Sequence, residues 1–359
     1  MKIGILTYHQ ADNFGAVIQS YALSQYLNSQ GFYAEIINYD CKAIKVHYQI
    51  FSPAILWSRR NVFYSLEEYL SRFTDIQNRI IRRRKFKMFR NKYLRLSPLF
   101  RKIKEPLDYD VIVVGSDQVW NFFLNKGDEK IYLLGFPCYP NTKKIAYAAS
   151  SEENGLNRID VATLETYLSK FDKISVREVF LKDKLSIHVK QNIEVCLDPV
   201  FLLEKSDYLN IAQYNYSSKY ILIYHMSPIS EILPEVENIA KLYSCEILEI
   251  YGGFGEGRKR KENVILDWGP EEVLGLIANA FMIFTTSFHG LAMSLIMEKN
   301  VWVINKGNNL RQKNLLDWLG LNERLLETME NFKFEEIDYQ KVHVNLEPII
   351  HKSKSFLKI

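Results

Sequence analysis

Cysteine is scarce and scattered in this chain. Four residues, Cys41, Cys138, Cys196 and Cys245, stand far apart with no CxxC pair. The spacing excludes the usual zinc and dithiol redox motifs and suits reduced thiols in a cytoplasmic protein. Long apolar runs are missing too. No uncharged stretch reaches the roughly 18 residues of a spanning helix, and the opening KIGILT run is too short for a signal peptide. Charge of one sign is not in excess: 46 basic and 42 acidic side chains leave a net +4, too little to argue for nucleic acid as a partner. The first loop holds a single glycine, Gly15, so the dinucleotide fingerprint is absent. No cluster of metal-ligating residues is visible, and no cofactor is expected.

What is present is a soluble α/β composition. Of 359 residues, 47% are hydrophobic and 25% charged, which at this length suits two domains rather than one core. Apolar runs at residues 2–7, 32–39, 109–114, 144–148, 173–176 and 193–197 read as buried strands alternating with helical patterns. A second series begins at Tyr220, with strands at 220–224, 246–250, 281–284 and 301–304. Residues 1–205 and 206–335 are the expected domains. Residues 336–359 form a mixed tail that can pack back across both.

Polar turns fall at the carboxyl ends of these strands, where open parallel sheets bind ligands. After the first strand come Asp12, Asn13 and Gly15. Asn13 can line a cleft or simply cap the next helix, and Gly15 permits close backbone approach. After the third strand come Ser116, Asp117, Gln118, Trp120 and Asn121, a set suited to gripping a sugar; a capped helix with Trp120 in the core is the plainer alternative. Asp117 can cap that helix or act as a base on a hydroxyl. Arg177 ends a strand and can hold a carboxylate or phosphate bidentately, or pair with Glu178. In the second series Thr286, Ser287, Phe288, His289 and Gly290 form a strand–turn–helix junction. There a helix N-terminus favours an anion, and His289 can bind phosphate or move a proton near neutral pH. It can equally do no more than cap its helix. Lys306 and Arg311 follow the next strand and can meet a second anion. The glycine-rich 251–263 loop lacks the spacing of a phosphate loop.

Taken in order, DNFGAVIQ (12–19), GSDQVWN (115–121), YAAS (147–150), SVRE (175–178), DPVFLL (198–203) and TSFHG (286–290) resemble the polysaccharide pyruvyl transferase family. The resemblance covers roughly residues 1 to 320. It implies two Rossmann-like domains facing across a cleft in a GT-B-like arrangement. It also implies transfer of a pyruvyl group from phosphoenolpyruvate to a nucleotide- or lipid-linked sugar, as a ketal, in capsule, exopolysaccharide or cell-wall glycan synthesis. Arg177 and His289 match positions that bind the donor, with Ser287, Gly290 and Lys306 beside them. His289 is the expected acid and Asp117 the expected base; Asp12, Asn13, Gly15, Ser116, Gln118, Trp120 and Asn121 are the expected acceptor side. Family members often carry arginine where this chain has Ser287. Lys306, Arg311 or the 258–261 basic run are the candidates to supply that charge. A nucleotide-sugar glycosyltransferase or a non-catalytic binding protein on the same fold are the competing expectations.

One more stretch stands out. Residues 63–95 read as a basic amphipathic helix or helix pair, with Phe73, Ile76, Ile80 and Ile81 at helical spacing among many arginines and lysines. Beside the apolar 50–57 patch, this is a surface able to rest on anionic lipid at the inner face of the membrane; a solvated helix face is the plain alternative. The lipid reading expects the protein to sediment with anionic vesicles at low salt and to be released at high salt. Failure to sediment at low salt ends it.

Overall fold

The computed structural model describes residues 1–48, 76–227, 229–252, 264–307 and 309–359. The 50–57 patch, the 63–75 part of the basic stretch and the 253–263 loop with its 258–261 run lie outside the described residues.

Among the described residues the strands form two six-stranded sheets, each wholly parallel. The first half runs β1 (Lys2–Leu6), α1 (Phe14–Ser29), β2 (Tyr33–Ile36), α2 (Lys42–His47), α3 (Ile76–Tyr93), β3 (Val111–Val114), α4 (Glu129–Tyr132), β4 (Lys143–Ala149), α5 (Val161–Leu168), β5 (Lys173–Val176), α6 (Val179–Ser186) and β6 (Ile193–Val195). Its strand order is β2-β1-β3-β4-β5-β6. After a short α7 (Lys205–Leu209) the second half runs β7 (Tyr220–His225), α8 (Leu233–Leu242), β8 (Glu246–Tyr251), β9 (Val264–Ile265), α9 (Pro270–Asn279), β10 (Met282–Thr285), α10 (Phe288–Ile296), β11 (Val301–Ile304), α11 (Leu310–Leu319) and β12 (Leu325–Leu326). Its order is β9-β8-β7-β10-β11-β12, that of a dinucleotide-type sheet. A final helix, α12 (Tyr339–Phe356), follows.

The strands form where they do because helices cover both faces. VIVV, MIFT and VWVI are buried at every position, the uninterrupted apolar pattern a doubly covered parallel sheet requires. Helix starts follow local chemistry. The Asn13 side chain accepts from the Ala16 N–H at 3.1 Å and Asp160 from Thr163 at 2.8 Å, each satisfying a donor the first turn leaves unpaired. Pro270 opens α9 with Glu271 and Glu272 in its first turn, as the sequence signals.

The two halves are not separate cores. Phe14, Val17 and Leu23 of α1, Phe86 and Phe89 of α3, Trp268, Val273 of α9 and Leu291 of α10 belong to one continuous apolar cluster. Helix α3 clasps the halves together. Although it comes from the first half, its Phe86 ring meets Trp268 at 5.5 Å, and Lys85 and Lys92 pair with Glu272 and Glu271 at 2.7 and 3.1 Å. Arg82 is buried, lies 3.8 Å over the Trp268 ring, and donates to the carbonyls of Asp12 and Gly252, each at 3.2 Å. Several basic residues of the helix are therefore spent on structure. Arg83, Arg84 and Lys87 remain on its exposed face.

Helix α12 bridges the halves a second time. Tyr339 at its start donates to the Lys299 carbonyl at 2.6 Å, and Asn345 to Leu319 at 3.1 Å. Near its end, Ser353 Oγ accepts the Leu197 N–H at 3.0 Å, and Phe356 packs on Tyr147.

Arg82 ties a first-half loop to a second-half strand end, and truncation leaves two buried carbonyls without donors. Arg82→Ala is expected to cost about 3 kcal/mol, read as a lower denaturant midpoint by circular dichroism.

Candidate functional site

Each sheet has one place where the chain leaves in opposite directions from neighbouring strands: between β1 and β3 in the first, between β7 and β10 in the second. The loops after these four strands converge. They enclose a cavity of about 550 Å³ lined by Tyr8, Ala11 and Asn13 after β1, Asp117 and Gln118 after β3, Met226 and Ser227 after β7, and Thr286 to His289 after β10. Tyr48, Phe123, Leu124 and Lys126 form one flank, and Lys306, Asn309, Arg311 and Gln312 the other. The volume is that of a small-ligand site.

Two helix N-termini from different halves point into this space. Helix α1 starts behind Asn13, and α10 behind Ser287, whose Oγ accepts the Gly290 N–H at 3.2 Å. Both ends carry partial positive charge suited to an anion. Asn13 thus caps its helix and lines the cleft at once. Gly15 lets the two ends approach: a Cβ there would stand 2.1 Å from His289 Nδ1. Gly290 is similarly confined, since a Cβ would meet Thr285 Oγ1 at 2.4 Å.

Behind the cavity lies a buried ion cluster built from both halves. The Asp198 carboxylate, at the end of the first sheet, accepts Arg177 Nη1 at 2.6 Å on Oδ2 and the Val200 N–H at 3.2 Å on Oδ1, with Ser116 Oγ 3.3 Å from Oδ2 while its hydrogen has a nearer acceptor in the Ala148 carbonyl at 2.8 Å. His289 from the second half brings Nε2 to 3.4 Å of the same Oδ2. That is an ion-pair distance without hydrogen-bond alignment, and Nε2 is buried with no hydrogen-bond partner among the described residues. Arg177 also donates Nε to Glu178 at 3.2 Å and Nη2 to Ser150 at 2.8 Å, and its guanidinium lies 4.5 Å from the Phe288 ring. Burial acts to raise the Asp198 pKa, but His289 and Arg177 outweigh it and hold the carboxyl well below the usual range. Glu178 goes the other way: burial raises its pKa despite Arg177 and Ser150.

His289, Asp117, Asn13, Ser287, Gln118 and Lys306 share the cavity. Lys306 reaches it while ion-paired with Glu231. Arg177 does not line it; its N–H groups are turned into the cluster and its side chain is only 3% exposed. Ser116 is buried behind the wall, on Asp198. Trp120 is core, its Nε1 donating to the Tyr132 carbonyl at 3.1 Å. Asn121 is buried and donates to Gln118 Oε1 at 2.8 Å, so it orients a lining residue. The Asp12 carboxylate faces Arg90 at 2.9 Å. Asp117 sits at φ +69°, a left-handed conformation costing a non-glycine residue roughly 1–2 kcal/mol. Such strain is concentrated at functional sites.

Among the lining residues that the sequence does not single out are Lys126, Tyr48, Phe123, Leu124 and Gln312. Arg311 was only a secondary candidate there. Among the described residues no hydrogen bond or ion pair engages its guanidinium. Burial and then repulsion from Arg177 lower its pKa, while part of the side chain opens to the cleft. With Lys126, it is a lining cation that carries no hydrogen-bond or ion-pair partner among the described residues. Among the described residues no cluster of His, Cys, Asp or Glu is arranged to hold a metal ion, and no helix is long and apolar enough to cross a membrane.

A family model described as polysaccharide pyruvyl transferase matches residues 13–308, spanning all six motifs bar the first residue. Solved structures of similar shape include a UDP-GlcNAc 2-epimerase from Neisseria meningitidis bound to UDP-GlcNAc, at 12% identity and TM-score 0.48 over 100% of this chain and 93% of that one. The Methanocaldococcus jannaschii UDP-GlcNAc 2-epimerase in complex with UDP-GlcNAc and UDP matches at 13% identity and TM-score 0.48, over 98% and 93%. The E. coli heptosyltransferase WaaC with ADP matches at 10% and 0.40, over 98% and 100%. No curated protein matches the sequence significantly.

The Gly15–His289 approach leaves no room for a side chain. Gly15→Ala is expected to lose about 1–3 kcal/mol and to push the first turn of α1 away from His289. Thermal unfolding and a crystal structure of the variant check both.

Proposed function

Since the chain belongs to the polysaccharide pyruvyl transferase family, we propose that it moves the pyruvyl group of phosphoenolpyruvate onto two hydroxyls of a sugar, forming a ketal and releasing phosphate. One observation carries the reading: a cavity closed by two facing helix N-termini also presents His289, Lys126, Lys306 and an unpaired Arg311. Phosphoenolpyruvate has a carboxylate and a phosphate, and this pocket offers donors and cations for both. Arg311 replaces the charge missing at Ser287. Asp117 and Gln118 face the same space and suit the acceptor hydroxyls, with Phe123 and Leu124 as an apolar wall for the sugar ring.

The reaction balances within these groups. A proton adds to the methylene carbon and leaves an oxocarbenium-like centre on the carbon bearing the phosphate ester. One sugar hydroxyl adds there, phosphate departs with its bridging oxygen, and the second hydroxyl closes the ketal. Of the two hydroxyl protons, one ends on the methyl group and the other on phosphate. His289 serves as acid and Asp117 as base, steps each worth roughly 10²–10⁴-fold. The acceptor is a nucleotide- or lipid-linked sugar of a surface glycan, met on the cytoplasmic side. The exposed basic face of α3 gives a lipid-linked acceptor a surface to approach.

Purified protein with phosphoenolpyruvate and such an acceptor is expected to release phosphate and yield a pyruvate ketal seen by mass. Arg311→Ala should raise the KM for phosphoenolpyruvate about tenfold or more, and His289→Ala should lower kcat by roughly 10² or more. Turnover of a nucleotide sugar without phosphoenolpyruvate overturns the assignment.

A further inference from the structure

We propose that Tyr8 sets which sugar the cleft accepts: its phenol O–H, turned toward the cavity by Asn125, donates to a sugar oxygen that does not react, while the apolar face of the sugar lies on Phe123 and Leu124. The proposal rests on the reading of the cleft as a pyruvyl transfer site for the sugar's role as acceptor.

Tyr8 follows β1, lines the cavity and is 4% exposed. Its ring stands edge-on to Tyr132 at 5.0 Å between centroids, and its carbonyl accepts the Ala11 N–H at 3.2 Å, so ring and backbone are both fixed. Asn125 sets the direction of the phenol. Its Nδ2 donates to the Val119 carbonyl at 2.8 Å and to the Tyr8 oxygen at 2.7 Å. A carbonyl can only accept, so the end of the amide shared by these two contacts is the nitrogen. The arrangement is kept although Asn125 Oδ1 is buried with no hydrogen-bond partner among the described residues. The Tyr8 oxygen therefore accepts from Asn125, and its own hydrogen is left for another partner. Among the described residues no acceptor takes that hydrogen. A buried donor in a cavity wall with no acceptor is one that a ligand can complete. Burial above all, then the nearby Cys41 and Asp117 side chains, pushes the phenol's pKa well above its ordinary value, so at neutral pH it stays a donor.

The surroundings select a sugar over the anionic donor at this place. The Asp117 charge acts on the phenol; it repels an anion there and leaves a neutral polyol undisturbed. Exposed Phe123 and Leu124 flank the same space. Asn125 is the next residue in their turn, so the side chain that aims the phenol also anchors the apolar wall. The Asn125 carbonyl accepts the Asp128 N–H at 2.8 Å, and the Asn121 carbonyl accepts the Leu124 N–H at 2.9 Å. Arg158 lies 5.6 Å over the Phe123 ring and steadies it. The C–H face of a sugar packs on such a wall and turns its oxygens to the polar groups beside it.

Chemistry separates the work of Tyr8 from that of Asp117. A hydroxyl about to attack gains nucleophilicity by giving its proton to Asp117 and loses it by accepting a hydrogen bond. The phenol therefore belongs on an oxygen that is held and does not attack. A sugar with no oxygen at that place leaves the buried phenol hydrogen unpaired, and the site rejects it on that account.

Saturation-transfer NMR with the methyl glycosides of glucose, galactose, mannose and N-acetylglucosamine tests the subsite without donor or turnover. Wild-type protein is expected to bind at least one of them. Tyr8→Phe keeps the ring on Tyr132 and should weaken that binding about tenfold, while the calorimetric Kd for phosphoenolpyruvate shifts less than about threefold. Phe123→Ala, at an exposed position, should weaken the same glycoside and spare the donor. No glycoside binding by the wild type overturns the proposal, as does unchanged glycoside binding in Tyr8→Phe. Weaker phosphoenolpyruvate binding with the glycoside unaffected places Tyr8 on the donor and overturns it too. If Tyr8→Phe does not fold, unchanged glycoside binding in Phe123→Ala is the overturning result. The expected pattern without phosphate release from phosphoenolpyruvate upholds the sugar subsite and sinks the pyruvyl reading alone, so the two failures are told apart.

Discussion

One buried carboxylate receives charge from both halves of this molecule. Asp198 belongs to the first sheet by sequence and takes a guanidinium from that sheet and an imidazole from the other. A buried carboxylate costs several kcal/mol unless it is paired, so its ionised state depends on the halves staying together. The depressed pKa states the same coupling: stability from this group is fully present above the unfolded carboxyl pKa near 4 and is lost as acid drives the pH below it. Around that contact the cavity takes its shape. Gly15 allows the α1 turn against His289, Phe288 lies on Arg177, and Ser116 supports Asp198 from behind.

The family assignment and the geometry bear on each other at Arg177. By resemblance it is a donor ligand; in the structure it is a buried strut. Arg311, seven residues beyond the strand that follows the TSFHG helix, is the guanidinium that lines the cleft among the described residues. A motif marks that an arginine belongs at a place, while the partners around it determine what it can reach.

Much of the architecture was legible in the sequence because a parallel strand covered on both faces must be apolar throughout. Val111–Val114 and Val301–Ile304 stand out for that reason, as does α9 with its proline and acids. Helix α12 did not stand out: the run is polar, exposed along much of its length, and contains Pro348. Its helicity comes from packing on both halves. The cleft residues Asn13, Asp117, Gln118 and His289 were visible as polar turns at strand ends. Trp120 and Asn121 looked alike in sequence but face the core and Gln118 respectively, since the reversal at Asp117 decides which way each side chain turns. The Asp198–His289 contact was illegible, because it joins residues 91 positions apart across the two halves.

Helix α12 begins on the second half and finishes against Leu197 and Tyr147 of the first. The chain therefore passes between the halves at two separated places, once before β7 and again along this helix. With α3 and the shared apolar cluster lying between these straps, the loops that line the cleft are held from three sides and the charges at its back stay in register.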